Sequence, residues 1–213
     1  MSNVLVIDAS ARKNGSLSRY LTRAFVEQWK KRNPDATFTH RDVGMDKIPH
    51  VTEQWIAGAY SLPESRSEAD MEALKLSDEL VSEVKKADVI VLGTPMYNWS
   101  VPSALKAYID QILRVGETVL VLKDDERNPY RGLLQNKSVY MIMVRGNNGY
   151  EPGNFYHHMD FQTEYLKTVF RIMGLDDVKD FAVNGATLKY EREPWEVTAE
   201  RLLTHFNLNG DAS

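Results

Sequence analysis

Apolar and polar positions alternate along this chain in a pattern that switches between two periods. Continuous apolar runs at residues 4–7 (VLVI), 89–92 (VIVL) and 139–144 (VYMIMV) are too short for helices and too unbroken for half-exposed strands, so they read as strands buried on both faces. Residues 36–43 and 177–183 give two further strands. Between them lie stretches with helical spacing. Residues 18–31 carry Leu21, Ala24, Phe25, Gln28 and Trp29 on one side, with Pro34 as the stop. Residues 68–86 turn Met71, Leu74, Leu80, Val81 and Val84 inward. A helix starting near Ser103 places Leu105, Tyr108, Ile109 and Ile112 at i, i+3, i+4 and i+7 and runs to about Val115-Gly116, with Ser100 or Ser103 able to cap it. Residues 157–174 place Phe161, Tyr165, Leu166, Val169 and Ile172 inward and close on Gly174, and residues 191–206 form a last helix.

Strand and helix therefore alternate five times. That order predicts an α/β fold, a doubly wound five-stranded parallel sheet in the order 2-1-3-4-5 with helices on both faces. The whole chain, 1–213, reads as one domain with excursions near 44–67, which holds a short helix at 54–60, and near 117–135. Residues 118–122 and 124–132 in the second excursion read as a hairpin, with Asp124, Asp125 and Glu126 as a solvated turn.

Composition narrows the classes. The net charge of −4 and the lack of any basic block argue against a nucleic-acid partner. No apolar run approaches the roughly 18 residues of a membrane span, and no signal-peptide pattern precedes the first strand. The absence of cysteine excludes disulfides, thiolate metal sites and cysteine nucleophiles, and fits the cytoplasm. The adjacent His157 and His158 would point about 100° apart on a helix and lack a third ligand, so no metal site is expected. Asp8 ends the first strand as in a phospho-acceptor domain, but the third strand ends Gly93-Thr94-Pro95 without the aspartate such a domain needs.

Ligands of such sheets bind beyond the carboxyl ends of the strands, where the strand order reverses. Three unusual loops fall there: 10–18, 95–99 and 145–149. The first has neither Gly-x-Gly-x-x-Gly nor Gly-Lys-Ser/Thr, so neither a dinucleotide fingerprint nor a P-loop is present. It offers Ser10, Ser16 and Ser18 at a helix start, with Arg12 and Lys13 nearby, a set suited to a phosphate monoester. The same serines could also serve only as cap and turn residues. The second loop, Pro95-Met96-Tyr97-Asn98-Trp99, places two aromatics, a thioether and an amide where a flat ligand with polar edges would lie; a subunit contact would use the same aromatics. Phosphate beside an aromatic wall fits a mononucleotide with a planar ring, FMN among them.

With these residues in view, the chain resembles the FMN-dependent NADH-azoreductase or NADH:quinone oxidoreductase family of flavodoxin-like fold. The resemblance runs over nearly the whole length, including Phe25-Val26-Glu27-Gln28-Trp29, Leu76-Ser77-Asp78-Glu79-Leu80 and, most diagnostic, Pro95-Met96-Tyr97-Asn98. It implies bound FMN, with Ser10 and Ser16-Leu17-Ser18 as the phosphate loop, Met96 to Trp99 under the ring, and Val144-Arg145-Gly146-Asn147 as a third flavin-contacting segment. Family members usually carry Ser-Arg-Gly-Gly there, so Val144 and Asn147 remove a hydroxyl and a permissive backbone position. Residues 119–122 are aliphatic where relatives often place aromatics over the flavin, which leaves substrate preference open. The resemblance further implies ping-pong transfer of two electrons from NADH or NADPH to a quinone or azo compound, and a homodimer with both sites near the interface. No acid–base pair is required. Arg145 or a backbone N–H is the candidate to stabilise the anionic reduced flavin. The competing reading is a flavodoxin-type electron carrier serving protein partners.

Overall fold

The computed structural model describes residues 2–122, 127–188 and 193–209. In chain order the elements are β1 (Asn3–Asp8), α1 (Leu17–Arg32), β2 (Thr37–Arg41), α2 (Glu53–Tyr60), α3 (Glu68–Lys86), β3 (Val89–Pro95), α4 (Ser103–Ile112), β4 (Val119–Val121), β5 (Tyr130–Gly132), β6 (Ser138–Val144), α5 (Thr163–Ile172), β7 (Asp177–Val183) and α6 (Trp195–His205). Five strands form one sheet in the order β2-β1-β3-β6-β7, every neighbouring pair parallel. With the β4–β5 hairpin set aside, this is the 2-1-3-4-5 order the apolar runs imply.

Alternation along each strand divides the core in two. Leu5, Ile7, Ile90, Leu92, Val139, Met141 and Met143 face one way and pack with Leu80, Val84, Leu105, Ile109, Leu166 and Phe170 of α3, α4 and α5. Val4, Val6, Val89, Val91, Tyr140 and Ile142 face the other way and meet Leu21 and Phe25 of α1, Leu202 of α6 and Phe206 just after it. On that second side Phe25, Tyr140 and Phe206 form an aromatic knot with centroid separations of 4.9, 5.1 and 5.9 Å.

The helix ends follow local chemistry. Ser16 accepts from the Arg19 N–H and starts α1, and Lys30, Lys31 and Arg32 complement the dipole at its far end. Ser67 and Asp70 close a capping box on α3. Gly174, at φ +89°, turns the chain after α5. The excursion after α4 is a hairpin, β4 antiparallel to β5. It is seated where Gly132 meets Gly174 so closely that a Cβ on Gly132 would lie 2.0 Å from the Gly174 nitrogen.

Several sequence expectations give way. Met71 is 52 % exposed, because α2 reaches the start of α3 through Asp70 and Leu74, which flank Gly58, and leaves the Met71 side uncovered. Phe161 is 61 % exposed; it lies before α5, in the turn following a short 3-10 segment at His157–Met159, so helical periodicity does not govern it. Neither Ser100 nor Ser103 caps α4: Pro102 holds the cap position without a side-chain bond, and Ser100 pairs with Tyr97 instead. The helix ends at Ile112, short of Val115-Gly116, and α6 starts at Trp195. The expected acidic turn Asp124, Asp125 and Glu126 lies outside the described residues, as do Glu191 and Arg192 at the start expected for the last helix.

Candidate active site

A parallel sheet brings the carboxyl ends of its strands to one edge. Asp8 pairs with Gly93, Pro95 with Val144, and Val144 with Val183, so the loops after β1, β3, β6 and β7 leave together. They enclose a cleft of about 230 Å³. Of the residues read from the sequence, Ser10, Arg12, Ser16, Leu17, Ser18, Pro95, Met96, Tyr97, Val144 and Gly146 line it, and Lys13, Asn98, Trp99, Arg145 and Asn147 do not. A larger groove of about 710 Å³ lies at the opposite edge, at the amino ends of β6 and β7 around Ser138 and Asp177, where no strand-order switch points loops at a ligand.

Three hydroxyls meet at the amino end of α1. Ser10, Ser16 and Ser18 are all buried, and the Ser16 and Ser18 Oγ atoms lie 3.2 Å apart. No acidic residue occupies the first turn of α1, so its positive dipole end is left open to an anion. Ser10 Oγ accepts from the Arg12 N–H at 3.2 Å, and the Tyr97 hydroxyl accepts from the Ala11 N–H at 3.3 Å, which ties the first loop to the second.

The second loop is a two-residue turn. Tyr97 and Ser100 exchange N–H···O bonds of 3.0 and 3.1 Å around Asn98 (φ 47°) and Trp99 (φ 66°). Positive φ at both central residues marks a type I′ turn. Asparagine tolerates that conformation; tryptophan does so only at a cost. The turn is held from behind: Phe161 N–H donates to Trp99 O at 3.1 Å, Met96 N–H to Val144 O at 2.8 Å, and the buried Gln162 Nε2 to Pro95 O at 2.9 Å. Backbone strain is thus spent on placing Met96 and Tyr97 against the cleft and Trp99, 46 % exposed, beside it.

Arg145 differs from its sequence reading. Its side chain is 3 % exposed, bonds Asp160 at 2.8 Å and Thr163, and stacks over the Tyr150 ring at 5.5 Å. Its N–H donates to Val183 O. The guanidinium builds the wall behind the cleft rather than facing into it.

Gly15, Ala186, Thr187 and Trp195 also line the cleft and were not singled out from sequence. Ala186 and Thr187 follow β7, and the same carboxyl-end rule that picked the other three loops would have picked theirs. Thr187 N–H and Oγ1 both donate to Gly146 O, joining the third and fourth loops. His157 and His158 are exposed in the 3-10 segment, and among the described residues no cluster of His, Asp or Glu could hold a metal ion.

Beneath the first loop sits Asp8. Burial pushes its carboxyl from the ordinary 3.8 up to about 6, against the attraction of Arg19 3.9 Å away. The folded state therefore holds this proton more tightly than the unfolded chain does. Its contribution to stability falls as pH rises from about 4 to 6, and the full penalty stands above that window. Asp8→Asn should therefore gain up to about 3 kcal/mol at neutral pH, a figure in which the Arg19 attraction is already offset against the cost of burial. Urea melts of the two proteins should coincide near pH 4 and separate in favour of Asp8→Asn by pH 7. Equal stability at pH 7 would contradict the assignment.

Comparison with known proteins agrees with this geometry. Residues 2–206 match the family model described as flavodoxin-like fold. The FMN-dependent NADH:quinone oxidoreductase of Nostoc sp. is 43 % identical over 178 residues, 84 % of each chain. The FMN-dependent NAD(P)H:quinone oxidoreductase 1 of Pseudomonas aeruginosa is 40 % identical over 186 residues, 87 % of this chain and 88 % of that one. Among solved structures, an FMN-dependent NADH-azoreductase from Bacillus anthracis in complex with FMN superposes with a TM-score of 0.83 at 20 % identity, covering 99 % of this chain and all of that one. With the family's loops assembled around one cleft and this degree of identity across most of its length, the chain belongs to the FMN-dependent NADH:quinone oxidoreductases of flavodoxin-like fold.

Proposed function

We propose that this protein is an oxidoreductase that holds FMN in the cleft and passes two electrons from NADH or NADPH to a quinone or azo compound. The observation that carries the reading is the joining, in one cleft, of three buried serine hydroxyls at the α1 amino end with the Met96–Tyr97 wall. Hydroxyls and an open helix dipole fit a phosphate monoester; an aromatic and thioether wall fits a planar ring. Bound there, FMN would supply the two-electron redox chemistry that links NADH or NADPH to the second substrate.

The chain's own part is binding and orientation. Among the described residues the cleft lining carries no carboxylate and no imidazole, so no side-chain general acid or base of those kinds stands at the site. Ser10, Ser16 and Ser18 would hold the phosphate, with Leu17 between them. Pro95, Met96 and Tyr97 would support the ring, with Asn98 and Trp99 completing the turn. Val144 and Gly146 would border its polar edge, with Asn147 next in the loop and Arg145 holding that segment from behind.

Exposed aromatics in the segments that follow β3 and β6, Trp99, Phe155 at 80 % and Phe161, support a homodimer in which a second copy covers them. No helix among the described residues is long and apolar enough to cross a membrane. The want of cysteine and the need for NAD(P)H favour the cytoplasm.

The purified protein should be yellow, or turn yellow on addition of FMN. Mixed anaerobically with NADH or NADPH, the flavin absorbance near 450 nm should bleach within seconds and return on addition of benzoquinone or an azo dye. A flavin that neither nicotinamide reduces would leave the electron-carrier reading in place of the enzyme.

A further inference from the structure

We propose that Arg19 is a positioning residue for the phosphate-receiving loop, acting through the Ser10 carbonyl rather than on the ligand. The inference rests on the FMN reading above and names a residue outside the cleft lining. Residues 11–15 of that loop are exposed, so its shape depends on a few anchors near Ser10. Ala9 N–H donates to Gly93 O at 2.9 Å, the last backbone bond between the loop and the sheet on that side. The Ser10 carbonyl then meets Arg19 Nη2, which donates to it at 2.7 Å. On its other flank is Gly44, where an added Cβ would lie 2.2 Å from Ser10 O. One guanidinium and one glycine thus fix the carbonyl of the residue whose side chain faces the cleft.

Arg19 is itself fixed. It stands three residues after the Ser16 cap, and both terminal nitrogens fork onto Asp42, Nη1 to Oδ2 at 2.7 Å and Nη2 to Oδ1 at 2.6 Å. Asp42 follows β2 and also accepts from the Met45 N–H, so the fork ties the exit of β1 to the exit of β2 across the α1 start. Asp42 neutralises the guanidinium, with Asp8 adding a second negative charge 3.9 Å away. The paired charge has little field left for a phosphate; what remains is geometry, three directed bonds from the two terminal nitrogens of a planar fork, an arrangement that the single nitrogen of an ammonium does not reproduce. Arg12 lines the cleft and is the positive residue that faces it, whereas Arg19 looks in the sequence like any polar residue on a helix start.

The test compares ligands with and without the phosphate. Flavin-depleted full-length protein is titrated with FMN and with riboflavin, following flavin fluorescence, for wild type, Arg19→Lys and Asp42→Asn. Losing one charge-assisted bond that sets the loop should weaken FMN by roughly tenfold or more in Arg19→Lys, while riboflavin changes by less than about threefold. Asp42→Asn should shift in the same direction by less, and it decides the matter if Arg19→Lys fails to fold. A lysine variant that binds FMN as wild type does would show that charge alone acts and would overturn the proposal. Equal weakening of both flavins would do the same, since it would mark a residue that only stabilises the fold. If wild type binds neither flavin, the cofactor reading itself has failed and the proposal falls with it, a result visible before any variant is made.

Discussion

Arg145→Met should lower stability by about 3–5 kcal/mol, the cost of removing one partner from a buried ion pair. Asp160, 10 % exposed, faces Arg145 at 2.8 Å through Oδ2, while its Oδ1 accepts from the Gln162 and Thr163 N–H groups at 3.1 and 3.0 Å. Without the guanidinium that carboxylate stays buried at the start of α5 with only amide donors. The disturbance reaches the cleft by a short route, because Gln162, which accepts from Arg145 Nε at 3.4 Å, donates to Pro95 O. Thermal melts should show a fall on the order of 10 °C for a chain of this size. Arg145→Met combined with Asp160→Asn should recover a large part of it, since removing both charges leaves neither unpaired. An unchanged melting temperature for Arg145→Met, together with a shifted flavin potential, would instead restore the sequence-based role of Arg145 as an electrostatic partner of the reduced flavin.

Arg145 also marks where sequence reading stops. Its position beyond β6 was legible, because a buried apolar run followed by a glycine- and asparagine-rich loop has few other meanings in a doubly wound sheet. The direction of its side chain was not, because that depends on Asp160 and Thr163, fifteen and eighteen residues on, folding back beneath it. The alternation of strand and helix is read from periodicity, a local signal, and the rule for doubly wound sheets then supplies the strand order and the three converging loops. Met71 departs for the opposite reason: helical spacing says which residues share a face but not how far the neighbouring element covers it, while Phe161 lies ahead of α5, which starts only at Thr163. The turn at Asn98-Trp99 lacks glycine, so nothing in composition announces two consecutive positive φ angles. Ala186 and Thr187 were within reach of the carboxyl-end rule, had it been applied to the fifth strand of the sheet as well as to the first, third and fourth.

Gly93→Ala should cost about 3 kcal/mol, at the upper end of ordinary overpacking, although β3 around it is as legible a strand as the chain contains. A Cβ there would lie 2.0 Å from Thr22 Oγ1, 3.3 Å from Thr22 Cβ and 3.2 Å from Asp8 Oδ1. Thr22 cannot simply turn away, because its hydroxyl donates to Ser18 O at 2.8 Å and the residue is buried. Relief therefore requires α1 to lift from β3, and α1 carries Ser16 and Ser18 at its amino end. The cause can be isolated with a double-mutant cycle in urea melts. Thr22→Ala alone should cost about 1 kcal/mol, since it empties the space of a fully buried methyl and hydroxyl. In the Gly93→Ala background the same change should restore about 2 kcal/mol, because the atom in the way is gone and the remaining approaches of 3.2 Å to Asp8 Oδ1 and 3.3 Å to the Cβ at position 22 can be absorbed by a small shift. A Gly93→Ala protein as stable as wild type would mean that α1 does not rest on β3 this closely. A double variant no better than Gly93→Ala would place the strain elsewhere than on Thr22. Recovery in the double variant would tie the close approach of α1 to the sheet, and with it the height at which Ser16 and Ser18 stand over the cleft, to the absence of one methyl group at position 93.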